Sequence, residues 1–173
     1  NRVKGCVEKW KREYSVCKPV KVCGTKEDVK RALEGLEGIG DVTGHTVDLY
    51  VFHDIRYPFV TEEMIYLTEQ KAAIYGIAVT AGEAGENVVW KRSGERLPER
   101  GYYCAGYPAA VRAGNPVLRE IDRPSEVLGK LIENRPYLCR VKGNYPRINT
   151  RESLEMAEMF IRTGGWDLPA HTR

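Results

Sequence analysis

The chain has 173 residues and a mass of 19.6 kDa, with 42% hydrophobic and 29% charged residues, which suits one domain with a real core and excludes a disordered chain. Its 27 Lys+Arg against 24 Asp+Glu leave a formal charge of +3; the signs are interspersed, so the total implies no nucleic-acid partner. The longest apolar stretches, such as Val47 to Phe52 and Ile74 to Val79, fall far short of the roughly 20 residues of a membrane span, and the start has no signal-peptide pattern, so a soluble protein with no membrane partner is expected.

Residues 7–14 are charged with sparse apolar positions and read as a short helix or a helix end, and Val20-Lys21-Val22-Cys23 alternates as a strand up to Gly24. Beyond it, Thr25 offers a cap, Glu27 and Asp28 suit a first turn, and Val29, Ala32, Leu33 and Leu36 repeat at helical spacing as far as Gly38 and Gly40. Residues 46–52 are β-rich and nearly continuous in apolar character, as a strand buried on both faces would be, and they run into His53-Asp54-Ile55-Arg56-Tyr57-Pro58. Thr61 and Glu63 open the next helix, which ends at Tyr75-Gly76 before a strand over Ile77–Thr80.

The segment 82–101 is rich in glycine and charge and reads as an antiparallel, hairpin-like arm projecting from the sheet. Pro108–Arg112 and Pro124–Ile132 each read as helical, Tyr137–Val141 as a strand and Arg151–Arg162 as a closing helix, followed by a loose tail over 164–173. Strands alternating with helices predict an α/β fold: a mostly parallel twisted sheet with helices on both faces and an inserted β arm, in one domain over residues 1–163.

Five cysteines (Cys6, Cys17, Cys23, Cys104, Cys139) are odd in number, far apart and without a C-x-x-C pair. This argues against a disulfide framework or zinc ribbon and for reduced thiols in a cytoplasmic or organelle-matrix protein. His45, His53 and His171 never lie three or four residues apart, which removes the simple helical metal pairs. The chain opens at Asn1 without an initiator Met, so it is expected to be processed or to belong to something longer.

Chemistry concentrates in a few places. Asp54 stands just past an expected buried strand, where a carboxylate can ligand a divalent cation, although for these residues alone capping the turn before Pro58 is the commoner role. Arg56 beside it can clamp phosphate oxygens or be a surface arginine. Lys91, Arg92, Arg96 and Arg100 make a basic cluster on the expected arm, and Arg147 follows Asn144-Tyr145-Pro146 before the last helix; together they suit an anionic phosphate ester, and singly they read as solvated charge. Tyr102, Tyr103 and Tyr107 read as stacking groups or as core, and Cys104 has no base beside it to make it a nucleophile. Gly35, Gly38 and Gly40 follow a helix and do not open one, so no Walker loop or dinucleotide fingerprint is present.

The order of these segments resembles the cytidylyltransferases that make 4-diphosphocytidyl-2-C-methyl-D-erythritol and their ribitol-phosphate relatives. VDLYVFHDIRYPFVTEEMI (Val47 to Ile65) resembles that family's strand and His-Asp loop, and VKGNYPRINTRESLEMAEMFI (Val141 to Ile161) resembles its closing strand, substrate loop and helix. Weaker likeness covers GYYCAGYPAAVR (Gly101 to Arg112) and the strand, glycine turn and helix of VKVCGTKEDVKRALEGL (Val20 to Leu36).

The resemblance implies a nucleotide-diphospho-sugar transferase-like fold and transfer of CMP from CTP to a sugar or polyol phosphate. It also implies Mg²⁺ as cofactor and a homodimer built through the arm. By it, Asp54 would hold metal and nucleotide, Gly24 at the glycine turn would help bind the nucleotide, and Arg56 and Arg147 would act in catalysis. Arg147 and Arg100 would grip substrate phosphates.

Two departures stand out. No glycine-rich triphosphate loop precedes the matched region, and the loop arginine position holds Tyr57, with Arg56 displaced by one. The resemblance therefore leaves two readings, a divergent transferase whose triphosphate loop lies upstream, so that this chain alone is inactive, and an inactive descendant serving as an interaction subunit of a larger assembly.

Overall fold

The computed structural model describes residues 21–24, 26–43, 47–83, 103–140 and 148–163, together with Gly5 and Lys9. Helix α1 spans Val29–Thr43. Asp28 caps it, its carboxylate accepting from the N–H groups of Lys30 at 2.8 Å and Arg31 at 3.4 Å; Thr25, the cap expected from the sequence, lies outside the described residues. The helix runs through Gly38 and Gly40, where a stop was expected. A glycine in a helix costs only about 1 kcal/mol, and the helix is tied down beyond its middle, where the Tyr50 hydroxyl donates to Glu37 at 2.5 Å. Lys21 to Gly24, expected to end a strand, pair with no strand among the described residues. The chain turns there instead, the Glu27 N–H reaching the Gly24 carbonyl at 3.0 Å.

Strand β1 (Leu49–Phe52) is followed by helix α2 (Glu62–Tyr75). Thr61 caps α2 by accepting from the Met64 N–H at 3.2 Å, and Gly76 closes it with φ of 85°, a left-handed conformation that suits glycine. Strands β2 (Ile77–Glu83) and β3 (Tyr103–Arg112) come next. Two short 3-10 turns (Pro116–Arg119 and Pro124–Glu126) then lead into α3 (Val127–Glu133), β4 (Tyr137–Arg140) and α4 (Arg151–Arg162).

The four strands form one open sheet in the order β1-β3-β2-β4. Strand β3 is antiparallel to both of its neighbours and β4 is parallel to β2, so β1, β2 and β4 all run one way and β3 alone runs back. Pro108–Arg112, read as helical from its alanines, is part of β3. Ala109, Ala110 and Val111 have no exposure at all there; pairing and burial on both faces of an inner strand override the helical preference of alanine.

The β2–β3 register jumps from Val79↔Ala109 to Thr80↔Gly106, leaving Tyr107 and Pro108 in a bulge. The buried Thr80 hydroxyl donates to the Pro108 carbonyl at 2.8 Å and fastens the bulge.

Helices cover both faces. On one face Val29 of α1, Val127 and Leu131 of α3, Val117 of the first 3-10 turn and Ile121 between the two turns pack on Tyr50, Ile77, Val79 and Val111. On the other, Ala72 of α2 packs on Ala78, Ala110 and Cys139, and burial raises the Cys139 thiol above its ordinary pKa. Strands β2 and β3 pair out to Glu83↔Tyr103, so the stretch between them leaves and re-enters the sheet at one place. The arm expected over 82–101 otherwise lies outside the described residues, as does the tail over 164–173. No described helix is long and apolar enough to cross a membrane.

Candidate functional site

Since β1, β2 and β4 run in one direction, their carboxyl ends share one margin of the sheet, the margin where open α/β sheets bind ligands. Three segments marked by the sequence depart from or return to this margin: the loop after β1, the stretch before β3 that holds Arg100, and the stretch after β4 that holds Arg147. Arg100 and Arg147 themselves lie outside the described residues.

The loop after β1 is held by Asp54. Its backbone carbonyl accepts from the Tyr57 N–H at 2.9 Å and its carboxylate accepts from the Arg56 N–H at 3.0 Å, a turn stapled by its own first side chain. The same carboxylate holds the Arg56 guanidinium side-on. Nε lies 2.9 Å from both Oδ1 and Oδ2, and Nη2 donates to Oδ2. Asp54 thus caps the turn and holds a charged partner at once. Hydrogen bonding to Asp54 raises the Arg56 pKa, and the Asp54 charge and the neighbouring Tyr57 and Tyr107 add to it.

Aromatic rings wall the loop. Tyr107, held in the bulge of β3, stands 5.5 Å from Tyr57 and edge-on to His53 at 6.5 Å between centroids. Gly106 makes room for Tyr57, since a Cβ there would lie 3.2 Å from its ring. His53 keeps contact with solvent, and partial desolvation lowers its pKa against the opposing pull of the Asp54 charge. The far end of the loop is anchored by Phe59, 4% exposed.

The loop also meets the start of the last helix. The N–H of Ile148, the residue after Arg147, donates to the Arg56 carbonyl at 2.8 Å. Two residues on, Thr150 and Ser153 form a reciprocal cap that starts α4. The Gly24 carbonyl accepts from the Glu27 N–H at 3.0 Å in the turn ahead of α1. Gly106 is the contributor that the sequence did not single out; a glycine inside a strand just before Tyr-Pro is the signal for such a close approach.

A divalent cation, implied by the resemblance, does not fit the described donors as they stand. Both Asp54 oxygens are taken by Arg56, and among the described residues no group of three His, Cys, Asp or Glu converges. The described part of the site is instead a guanidinium, a covered carboxylate and three aromatic rings, a set suited to an anion carried on a planar or sugar-like body.

No family model matches the sequence, and no curated protein matches it. Solved structures do. The chain is similar to the 4-diphosphocytidyl-2C-methyl-D-erythritol synthase of Anaerococcus prevotii, with a TM-score of 0.52 and 18% identity over 77% of this chain and 62% of that one. A second 4-diphosphocytidyl-2C-methyl-D-erythritol synthase matches with a TM-score of 0.52 and 16% identity over 77% of this chain and 65% of that one. The 2-C-methyl-D-erythritol 4-phosphate cytidylyltransferase of Thermus thermophilus matches with a TM-score of 0.50 and 16% identity over 78% of this chain and 67% of that one. The chain therefore has the fold of these cytidylyltransferases, and it spans less than two thirds of the length of the first two.

Proposed function

We propose that this chain is part of a nucleotidyltransferase that passes CMP from CTP to a sugar or polyol phosphate and releases pyrophosphate. The observation that carries the reading is the hydrogen bond from Ile148 to Arg56. It joins the loop after β1 to the segment after β4 at the carboxyl margin of a sheet with the cytidylyltransferase fold.

In the reaction an oxygen of the acceptor phosphate attacks the α-phosphorus of CTP. The new P–O bond forms as the bond to the departing pyrophosphate breaks, so no covalent nucleophile of the protein is needed and the catalytic task is positioning and charge compensation. Arg56 takes phosphate oxygens, Arg147 and Arg100 grip the phosphates of acceptor and nucleotide, and the rings of Tyr57 and Tyr107 border the bound body. No step is routed through a cation. The homodimer implied by the resemblance, one arm reaching the other subunit's site, belongs to this proposal.

Calorimetric titration of the chain with CTP and Mg²⁺ tests it, with Arg56→Gln alongside. Binding that Arg56→Gln abolishes supports the reading and leads on to pyrophosphate-release assays with a panel of polyol phosphates; no binding by folded wild type sinks it for this chain. A second reading, an inactive fold serving as an interaction subunit, is favoured by α4, where Leu154, Met156, Met159 and Ile161 are 44–61% exposed. Under that reading the chain binds no CTP.

A further inference from the structure

We infer that Asp54 is the resident counter-ion of Arg56, so that a phosphate-bearing ligand binds this site against the Asp54 charge and the native carboxylate holds anion affinity down. The inference rests on the reading of the loop as a phosphate site and adds to it the direction in which Asp54 acts.

The geometry is specific. Asp54 takes the Nε–Nη2 side of the guanidinium with both oxygens. It cannot readily turn away, because Oδ1 also accepts the Arg56 backbone N–H at 3.0 Å. The two partners are unequally covered, with 16% of the Asp54 side chain exposed against 48% for Arg56. A ligand arriving from solvent therefore meets the guanidinium first, on the end that points away from Asp54, and finds its charge already balanced. An anion seated there lies within a few ångströms of a fixed negative charge, at a distance where salt screens little. A cation ligand would show the opposite arrangement, a carboxylate with free oxygens facing solvent and further oxygen donors around it.

The test is calorimetric titration of the full chain with inorganic pyrophosphate at low salt, in wild type, Asp54→Asn, Arg56→Gln and the double variant. Asp54→Asn is expected to raise pyrophosphate affinity about three- to tenfold, the scale of one partly screened charge a few ångströms away. Arg56→Gln is expected to abolish binding, and the double variant to behave like Arg56→Gln. Asp54→Ser, which keeps an acceptor for the Arg56 N–H without the charge, is expected to match Asp54→Asn and covers the case in which asparagine disturbs the turn.

Lower or unchanged affinity in both Asp54 variants overturns the inference, as does absence of binding in all of them. So does Mn²⁺ alone binding wild type and not Asp54→Asn. Pyrophosphate binding with the expected signs but no CTP binding keeps this inference and removes nucleotidyl transfer. CTP binding that is lost in Asp54→Asn does the reverse.

Discussion

Replacing Thr80 by valine isolates one hydrogen bond that shapes the site. The Thr80 hydroxyl, in a side chain 4% exposed, donates at 2.8 Å to the Pro108 carbonyl in the bulge of β3. Valine keeps the shape and the β preference of threonine, so packing changes little and the loss falls on the bond and on a buried acceptor deprived of its donor. Such a loss costs roughly 1–3 kcal/mol, and the added methyl returns a fraction of it, leaving an expected destabilisation of about 1–2 kcal/mol. In urea, with a slope of about 2 kcal/mol per molar, the midpoint should fall by roughly 0.5–1 M without a change of slope. Tyr107 precedes Pro108 in the same bulge, so ligand affinity should fall with the midpoint. A valine variant that unfolds at the wild-type midpoint would mean that the bulge stands without Thr80, and the account of how Tyr107 is placed would have to be abandoned.

Leu131 of α3 has no exposure, and Leu131→Ala should destabilise by about 2–5 kcal/mol, read as a lower urea midpoint; a change under about 1 kcal/mol would show that the α3 face is not packed as described. His53 has a lowered pKa in the folded chain, so below its unfolded value, about 6.5, the unfolded chain binds more protons. Its contribution therefore makes stability fall as pH drops below about 6.5. His53→Gln should flatten that part of the stability–pH curve, and an unchanged curve in the variant would remove His53 as its cause.

Helices with a visible cap are the most legible parts of the chain. The last helix reads to the residue, Arg151–Arg162, and Thr61 before a Glu-rich first turn marks the start of α2. Legibility fails where distant packing decides the outcome. Tyr-Pro-Ala-Ala-Val-Arg carries helical residues, and its strand state comes from having β1 on one side and β2 on the other. Likewise α1 runs through Gly35, Gly38 and Gly40, and a tyrosine from β1 reaches back to Glu37 among them, a contact that no local pattern encodes. In the site, Asp54 and Arg56 stand out for being polar after an apolar run that reads as a strand buried on both faces, although β1 lies at the edge of the described sheet with Val51 exposed. That the two bond to each other is not readable, since side-chain partnership two residues apart depends on how the loop turns. The likeness to cytidylyltransferases is read from the order of segments, and at 16–18% identity what the solved structures show in common with this chain is the fold.

The two sides of the sheet are unequal in what they can tolerate. Against α2 the fully buried part of the contact is made by Ala72, Ala78, Ala110 and Cys139, with Leu49 and Leu67 at its border, so at its centre small side chains let the helix ride close to the strands. Against α1 and α3 the layer is thick with Tyr50, Val79, Ile121 and Leu131. Variation on the thick side mostly removes atoms and leaves voids that neighbours can partly fill. On the thin side nearly every change adds atoms, and there the strands or the helix must move apart to admit them. Drift should accordingly be slow at Ala78 and Ala110 and faster at the large residues opposite, and selection for new function in this scaffold would find its freedom on the α1 and α3 side.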